Sequence, residues 1–82
     1  EEFCVLLPYT ERKVACAVAE HIRKVLCRNT FRVEDKRVNI SASIGVSVYG
    51  EDGAQLDDMF KVADDHLYHA KGSGRNQVVY GV

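Results

Sequence analysis

Residues 63–76, which read ADDHLYHAKGSGRN, decide how this 82-residue sequence is interpreted. The stretch is typical of the last turns of an amphipathic helix followed by a glycine-framed exit. Lys71 and Arg75 bracket the turn at residues 72–74, so their side chains can converge on one anion while the backbone approaches it closely. That arrangement suits a phosphate. The same residues also fit an ordinary helix end, where glycine forms a left-handed cap and lysine complements the helix dipole.

Upstream of this stretch, the most regular pattern is the alternation in residues 40–48. Every even position is apolar, and the odd positions carry serine or glycine up to residue 47. A period of two predicts a β-strand with two different faces. We expect the apolar face to pack on helices. The small face either admits a helix or a ligand at close range or is an exposed or tightly packed surface.

The first part of the chain predicts a strand followed by a helix. Residues 3–7 form an almost wholly apolar run that Pro8 stops, which indicates a strand buried on both faces. Thr10 is a candidate cap for the next helix. Apolar residues recur at helical spacing from residue 11 to about residue 28.

The remaining elements complete an α+β chain. Residues 31–34 and 37–40 read as a hairpin around Asp35 and Lys36, with the second arm continuing to residue 48. A helix then carries an apolar stripe from Leu56 to Ala70, and a final strand follows it. The predicted order is β-α-β-β-α-β, with a mainly antiparallel sheet and helices packed on it.

Composition excludes several function classes. Hydrophobic residues make up 46% and charged residues 28% of the chain, and the formal net charge is −1, which describes one ordinary globular unit without the basic excess of a nucleic-acid binder. No apolar run reaches the length of a membrane helix, so we expect no membrane contact by this segment. Three cysteines without Cys-x-x-Cys spacing favour reduced thiols and a cytoplasmic location over a disulfide or zinc site.

Two further groups of residues are candidates for chemistry. Glu1 and Glu2 are adjacent carboxylates at the head of the first predicted strand, and magnesium commonly binds one or two carboxylates together with substrate phosphates. Taken alone, the pair is more typical of solvated charge. His66 and His69 stand three residues apart with Asp65 beside them, but no third ligand is evident. A solvated polar face is therefore favoured over a metal site.

Together, these segments resemble the GGDEF domain of diguanylate cyclases. Residues 1–8 resemble the end of a Gly-Gly-Glu-Glu-Phe signature and the strand after it, and residues 39–46 resemble the family's Ser-Ile-Gly strand. The family's closing motif is matched in residue type and spacing by Ala63, Asp64, Leu67, Tyr68, Ala70, Lys71, Gly74, Arg75 and Asn76. The resemblance implies that residues 1–82 are the C-terminal portion of one GGDEF domain, with its nucleotide-cyclase palm-like fold.

The resemblance also implies an activity and a site. The family condenses two GTP molecules into cyclic di-GMP in bacterial second-messenger signalling, between two facing GGDEF domains that form a homodimer. By position in the motifs, Glu1 would coordinate Mg²⁺ or Mn²⁺ and act in catalysis, Glu2 would support that catalytic site, and Lys71 and Arg75 would bind the GTP phosphates. An upstream sensory or receiver domain is the implied regulatory partner.

Important parts of the family pattern fall outside these 82 residues. They are the two signature glycines, an upstream metal-binding aspartate and the guanine pocket, so we expect the isolated chain to be inactive. The alternative is a degenerate, non-catalytic GGDEF domain that acts as a nucleotide-binding or protein-interaction module. A third possibility is a fragment that only dimerises through exposed sheet edges and apolar faces.

Overall fold

The computed structural model describes residues 2–81. In chain order, the elements are α1 (Arg12–Arg28), β1 (Thr30–Val33), β2 (Lys36–Asn39), β3 (Ile44–Gly45), α2 (Leu56–Gly72) and β4 (Val78–Val79). The strands form two separate two-stranded sheets, β1 with β2 and β3 with β4. The α+β composition agrees with the sequence-based prediction, whereas the strand order differs from it.

The short strand β3 lies between the two helices and organises the core. On one side, Val46, directly after β3, is buried together with Ala15 and Ala19 of α1. On the other side, Gly45 lies so close to α2 that a Cβ atom there would collide with the carbonyl oxygen of Ala63. The small face of residues 40–48 therefore serves the close approach of a helix, which was one of the two alternatives left open by the sequence.

The pairing of β3 with β4 is parallel, and the prediction of a mainly antiparallel sheet is wrong here. The amide of Ile44 donates to the Gln77 carbonyl at 2.9 Å, and the amide of Val46 donates to the Val79 carbonyl at 3.0 Å. The physical reason is the connection: parallel neighbours need a long crossover, usually a helix, and α2 supplies it. The sequence-based prediction used local patterns, which contain no information about a pairing between distant segments.

The first predicted strand is absent from the structure. Residues 2–7 have no regular secondary structure and pair with no strand within residues 2–81, and Phe3 and Leu6 are 93% and 72% exposed. Only Leu7 packs against the core cluster. An apolar run becomes a strand when a neighbour takes its backbone hydrogen bonds, and none of the described residues does so.

The hairpin exists, with its turn one residue earlier than predicted. Glu34 and Asp35 form the turn with φ of 49° and 66°, and two positive φ values are what a tight two-residue hairpin requires. Strand β2 ends at Asn39, and residues 40–43 lie outside any strand. The predicted continuous second arm is therefore wrong, because β2 pairs with β1 while β3 belongs to the other sheet.

Helix α1 matches the predicted helix, but its cap does not. The capping position is Glu11 and makes no side-chain cap, while the Thr10 hydroxyl donates to the Pro8 carbonyl instead. Arg12 holds the start of the helix in place. Its guanidinium donates to the Tyr80 carbonyl and to the Asp52 carboxylate, at 2.7 Å in each case.

Candidate functional site

Lys71 lies in the last turn of α2 and contacts the N-terminal stretch of the chain. Its Nζ donates to Oε2 of Glu2 at 3.1 Å, across 69 positions of sequence. Tertiary structure alone brings this carboxylate and this cation together. Both side chains are substantially exposed, so the ion pair contributes little stability, on the order of 0–1 kcal/mol.

Glu2 and Lys71 line a small cavity of about 110 Å³. Helix α2 supplies the rest of the lining with Asp64, Leu67 and Tyr68. Residues 64, 68 and 71 share one edge of the helix because they are separated by four and three positions. The cavity thus places acidic oxygens next to a cationic nitrogen, which is the mixture of groups that a metal-bound phosphate needs.

Lys71 and Arg75 also line one larger open groove, together with Glu2. The groove has a volume of about 1580 Å³, and its walls come from residues 2–11, one side of α1, residues 40–49 and part of α2. The structure therefore brings both predicted phosphate-binding cations to the same open space.

The end of α2 is closed by backbone hydrogen bonds. The amide of Ser73 donates to the His69 carbonyl, and the amide of Arg75 donates to the Ala70 carbonyl, at 2.9 Å in each case. Gly74, Arg75 and Asn76 have positive φ, whereas Gly72 is the last helical residue. The glycine with the left-handed conformation expected after the helix is therefore Gly74, two residues beyond the last helical residue.

A polar cluster around Asn76 was not predicted from the sequence. Oδ1 of Asn76 accepts a hydrogen bond from Nη1 of Arg23 on α1 at 3.1 Å, across 53 positions of sequence. The backbone amide of Asn76 donates to Oγ of Ser43 at 3.1 Å. Spacing carries no signal for contacts of such long range. The one available hint is that asparagine tolerates the left-handed conformation better than most residues.

The two histidines of α2 have different surroundings. His66 is 5% exposed, and its Nδ1 donates to the Val46 carbonyl at 2.7 Å, because that carbonyl can only accept. His69 is exposed, and its ring meets the Tyr68 ring edge-on. The expectation of a solvated face is therefore wrong for His66. Val46 lies directly after the short β3, and its carbonyl is satisfied by the His66 side chain.

The described residues contain no self-sufficient metal site. Within residues 2–81, no group of three or more His, Cys, Asp or Glu side chains is placed to hold a metal ion. Glu1, the predicted metal ligand, lies outside the described residues. Burial raises the pKa of the Cys16 thiol, which disfavours its thiolate form as a ligand.

No helix between residues 2 and 81 is long and apolar enough to cross a membrane.

Comparison with known proteins identifies the family. The profile of the family described as "Diguanylate cyclase, GGDEF domain" matches residues 1–77, which is most of the chain. This chain belongs to the GGDEF family.

Three relatives show the extent of the similarity. The chain is 41% identical over 78 residues to Diguanylate cyclase A of Treponema denticola, with 95% of this chain and 21% of the relative covered. It is 41% identical over 81 residues to Response regulator PleD of Caulobacter vibrioides, with 96% and 18% covered. It is 40% identical over 85 residues to Diguanylate cyclase DgcM of Escherichia coli K12, with 96% and 18% covered. The chain thus spans about a fifth of the length of these relatives.

Proposed function

We propose that this chain is the C-terminal portion of a GGDEF domain in a diguanylate cyclase, which condenses two GTP molecules into cyclic di-GMP. Family membership supports the class of activity. The observation that carries the proposal is the contact between Glu2 and Lys71 in the small cavity. It joins the acidic signature at one end of the chain to the cationic motif at the other.

In this proposal, Lys71 and Arg75 bind the phosphates of GTP. Hydrogen bonds from cations to phosphate oxygens are the strong, charge-assisted kind, and two cations at one groove hold a polyphosphate more firmly than one. Lys71 reaches its ligand by exchanging partners: the Nζ that now contacts Glu2 would turn to a phosphate. Because the exposed pair with Glu2 is weak, on the order of 0–1 kcal/mol, the exchange costs little.

The acidic residues would hold Mg²⁺ or Mn²⁺. Glu2 and Asp64 line the cavity beside Lys71, and hard oxygen donors of this type suit either ion. In this proposal, phosphate oxygens and Glu1 complete the coordination of the ion. When bound, such an ion neutralises developing phosphate charge and activates the attacking 3′-hydroxyl. The chain's own contribution is to place carboxylates and cations around one nucleotide.

The proposal includes partners beyond this chain. A second GGDEF domain would supply the other GTP, and an upstream sensory or receiver domain would control the encounter. Support for a regulatory domain comes from the small share of each relative that the chain covers and from the printed name "Response regulator" of one relative. The 82 residues alone are proposed to be inactive, since they offer only part of a site.

The experiment compares the full-length parent protein with the 82-residue chain. Each is incubated with GTP and Mg²⁺, and cyclic di-GMP is measured by chromatography. We expect product from the parent and none from the chain. A parent that binds GTP without forming product would identify the non-catalytic module instead. Product from the 82-residue chain would contradict the proposed inactivity.

Substitutions in the parent test the two cations directly. Lys71→Ala and Arg75→Ala are each expected to weaken GTP binding about tenfold or more, since each removes a charge-assisted hydrogen bond. The matched control is Lys61→Ala, an exposed lysine on the same helix. Calorimetry gives the affinity, and the melting temperature is recorded beside it. Unchanged affinity with a lowered melting temperature would show that both residues only cap the helix.

A further inference from the structure

Arg75 and its neighbour Asn76 share an unusual backbone conformation. Their φ values are 62° and 47°, so two successive side-chain-bearing residues occupy the left-handed region. Asparagine is found there several times more often than most residues, but arginine has no such preference. A residue with a side chain is strained in such a region and persists there only where its surroundings hold it.

The backbone around Arg75 is held from three directions. Its amide donates to the Ala70 carbonyl of α2 at 2.9 Å. Its carbonyl accepts from Nε2 of Gln77 at 3.2 Å. The next amide, that of Asn76, donates to Oγ of Ser43, close to the start of β3.

The Asn76 side chain adds a bond to the other helix. Oδ1 of Asn76 accepts from Nη1 of Arg23, and the same guanidinium is fixed on α1 by two hydrogen bonds to the Glu20 carboxylate, at 2.9 and 2.6 Å. The Arg23 side chain is only 18% exposed, so it has little freedom to move away. Arg23 therefore links α1 to the turn that carries Arg75.

This link is not needed to close the end of α2. The backbone amides of Ser73 and Arg75 already satisfy the carbonyls of His69 and Ala70. What the bond from Arg23 to Asn76 adds is a fixed direction for the residue directly before Asn76, which is Arg75. A phosphate-binding arginine gains from such fixing, because less freedom is lost when the ligand arrives.

We propose that Asn76 and Arg23 are positioning residues for the phosphate site: they hold Arg75 in the left-handed conformation from which its side chain and Lys71 reach one ligand. Neither residue touches the nucleotide in this scheme. The inference rests on the proposed function, because it assigns Arg75 to the phosphates of GTP. The inference extends the proposed phosphate site from the end of α2 to include Arg23 of α1.

The test measures GTP affinity in the full-length parent protein. Asn76→Gly keeps a backbone that accepts positive φ and removes the two side-chain bonds of Asn76, the one from Arg23 and the one that Nδ2 donates to Sγ of Cys27 at 3.5 Å, whereas Arg23→Ala removes only the first of these from Asn76. Each variant is expected to weaken GTP binding about five- to tenfold, which is less than the loss of a direct charge-assisted bond to the ligand, because neither residue touches the nucleotide. The control is Arg28→Ala, an exposed arginine on the same helix, which should bind GTP like the wild type.

A double-mutant cycle separates positioning from general stability. In an Arg75→Ala background, Asn76→Gly should cause no further loss of GTP affinity, since no arginine remains to be positioned. The pair Arg23→Ala and Asn76→Gly should together cost no more than one of them, because both remove the same bond. A residue that only stabilised the fold would lower affinity equally in both backgrounds.

The outcomes distinguish this inference from the proposed function. If the wild-type parent does not bind GTP, or if Arg75→Ala leaves its affinity unchanged, the assignment of Arg75 fails and the inference fails with it. If Arg75→Ala weakens binding while Asn76→Gly and Arg23→Ala bind like the wild type, only the inference is overturned. A loss with Asn76→Gly that persists in the Arg75→Ala background overturns it as well.

Discussion

The two halves of the candidate site are built in different ways. Lys71 lies in the last turn of the 17-residue helix α2, and Arg75 lies in the turn that follows. Backbone amides of that turn donate to carbonyls of α2 and to Oγ of Ser43, the residue before β3. Glu2 lies on an irregular stretch whose largest side chains face solvent and which has no strand partner among the described residues. The cationic half is therefore fixed by the chain's own packing, whereas the acidic half meets it through an exposed ion pair with Lys71 that contributes little stability.

The difference follows from where each segment finds its hydrogen bonds. A helix satisfies most of its backbone hydrogen bonds within the segment, and α2 also packs on β3 and β4. An extended segment satisfies nothing internally and depends on neighbours. Substitutions in the two regions should therefore have unequal effects on the stability of the 82-residue chain.

The largest effect is expected from Gly45→Ala, because Gly45 is the point where β3 lies closest to α2. The added Cβ would collide with the Ala63 carbonyl oxygen and lie 2.5 Å from the Leu67 amide nitrogen. Both are backbone atoms of α2 that cannot turn aside, so we expect a loss of about 3 kcal/mol or more in the free energy of unfolding. Urea denaturation followed by circular dichroism measures it.

Gly72→Ala is the matched control, because a Cβ there meets nothing within 4 Å. Since Gly72 is helical, alanine should be neutral or stabilise by about 0.5 kcal/mol. Equal losses from both substitutions would mean that β3 does not pack on α2 as described.

A smaller loss is expected from His66→Ala, which removes the bond between α2 and the edge of β3. The substitution leaves the Val46 carbonyl without its buried donor and opens a space beneath the helix. We expect a loss of about 2 kcal/mol in the free energy of unfolding.

His69→Ala on the exposed side of the same helix is the comparison, with an expected change within about 0.5 kcal/mol. The same urea titration serves both variants. Similar small changes for the two histidines would indicate that both lie on a solvated face, as the sequence analysis predicted.

The smallest effect is expected from Leu6→Ser in the N-terminal stretch. Leu6 is 72% exposed, so its replacement should change the free energy of unfolding of the 82-residue chain by no more than about 0.5 kcal/mol. A loss comparable with that of His66→Ala would contradict the contrast between the two halves, because it would show that this stretch is packed in solution.

Local patterns predicted the local parts of the structure. Helices α1 and α2, the existence of the hairpin and the final strand were all predicted, because periodicity and turn residues act within a few positions. The same reasoning gave the wrong result for residues 3–7 and for the continuous strand to residue 48. In both cases the outcome depends on a neighbour that the local pattern does not contain.

By itself, the sequence determined the family, the two helices and the identity of the charged residues at the candidate site. Tertiary structure decided that Glu2 meets Lys71, that β3 pairs in parallel with β4, and that Arg23 reaches Asn76. Those contacts join residues more than 30 positions apart, and their existence depends on how the helices pack on β3. Residue type fixes what a side chain can bind, whereas packing fixes which partner it meets.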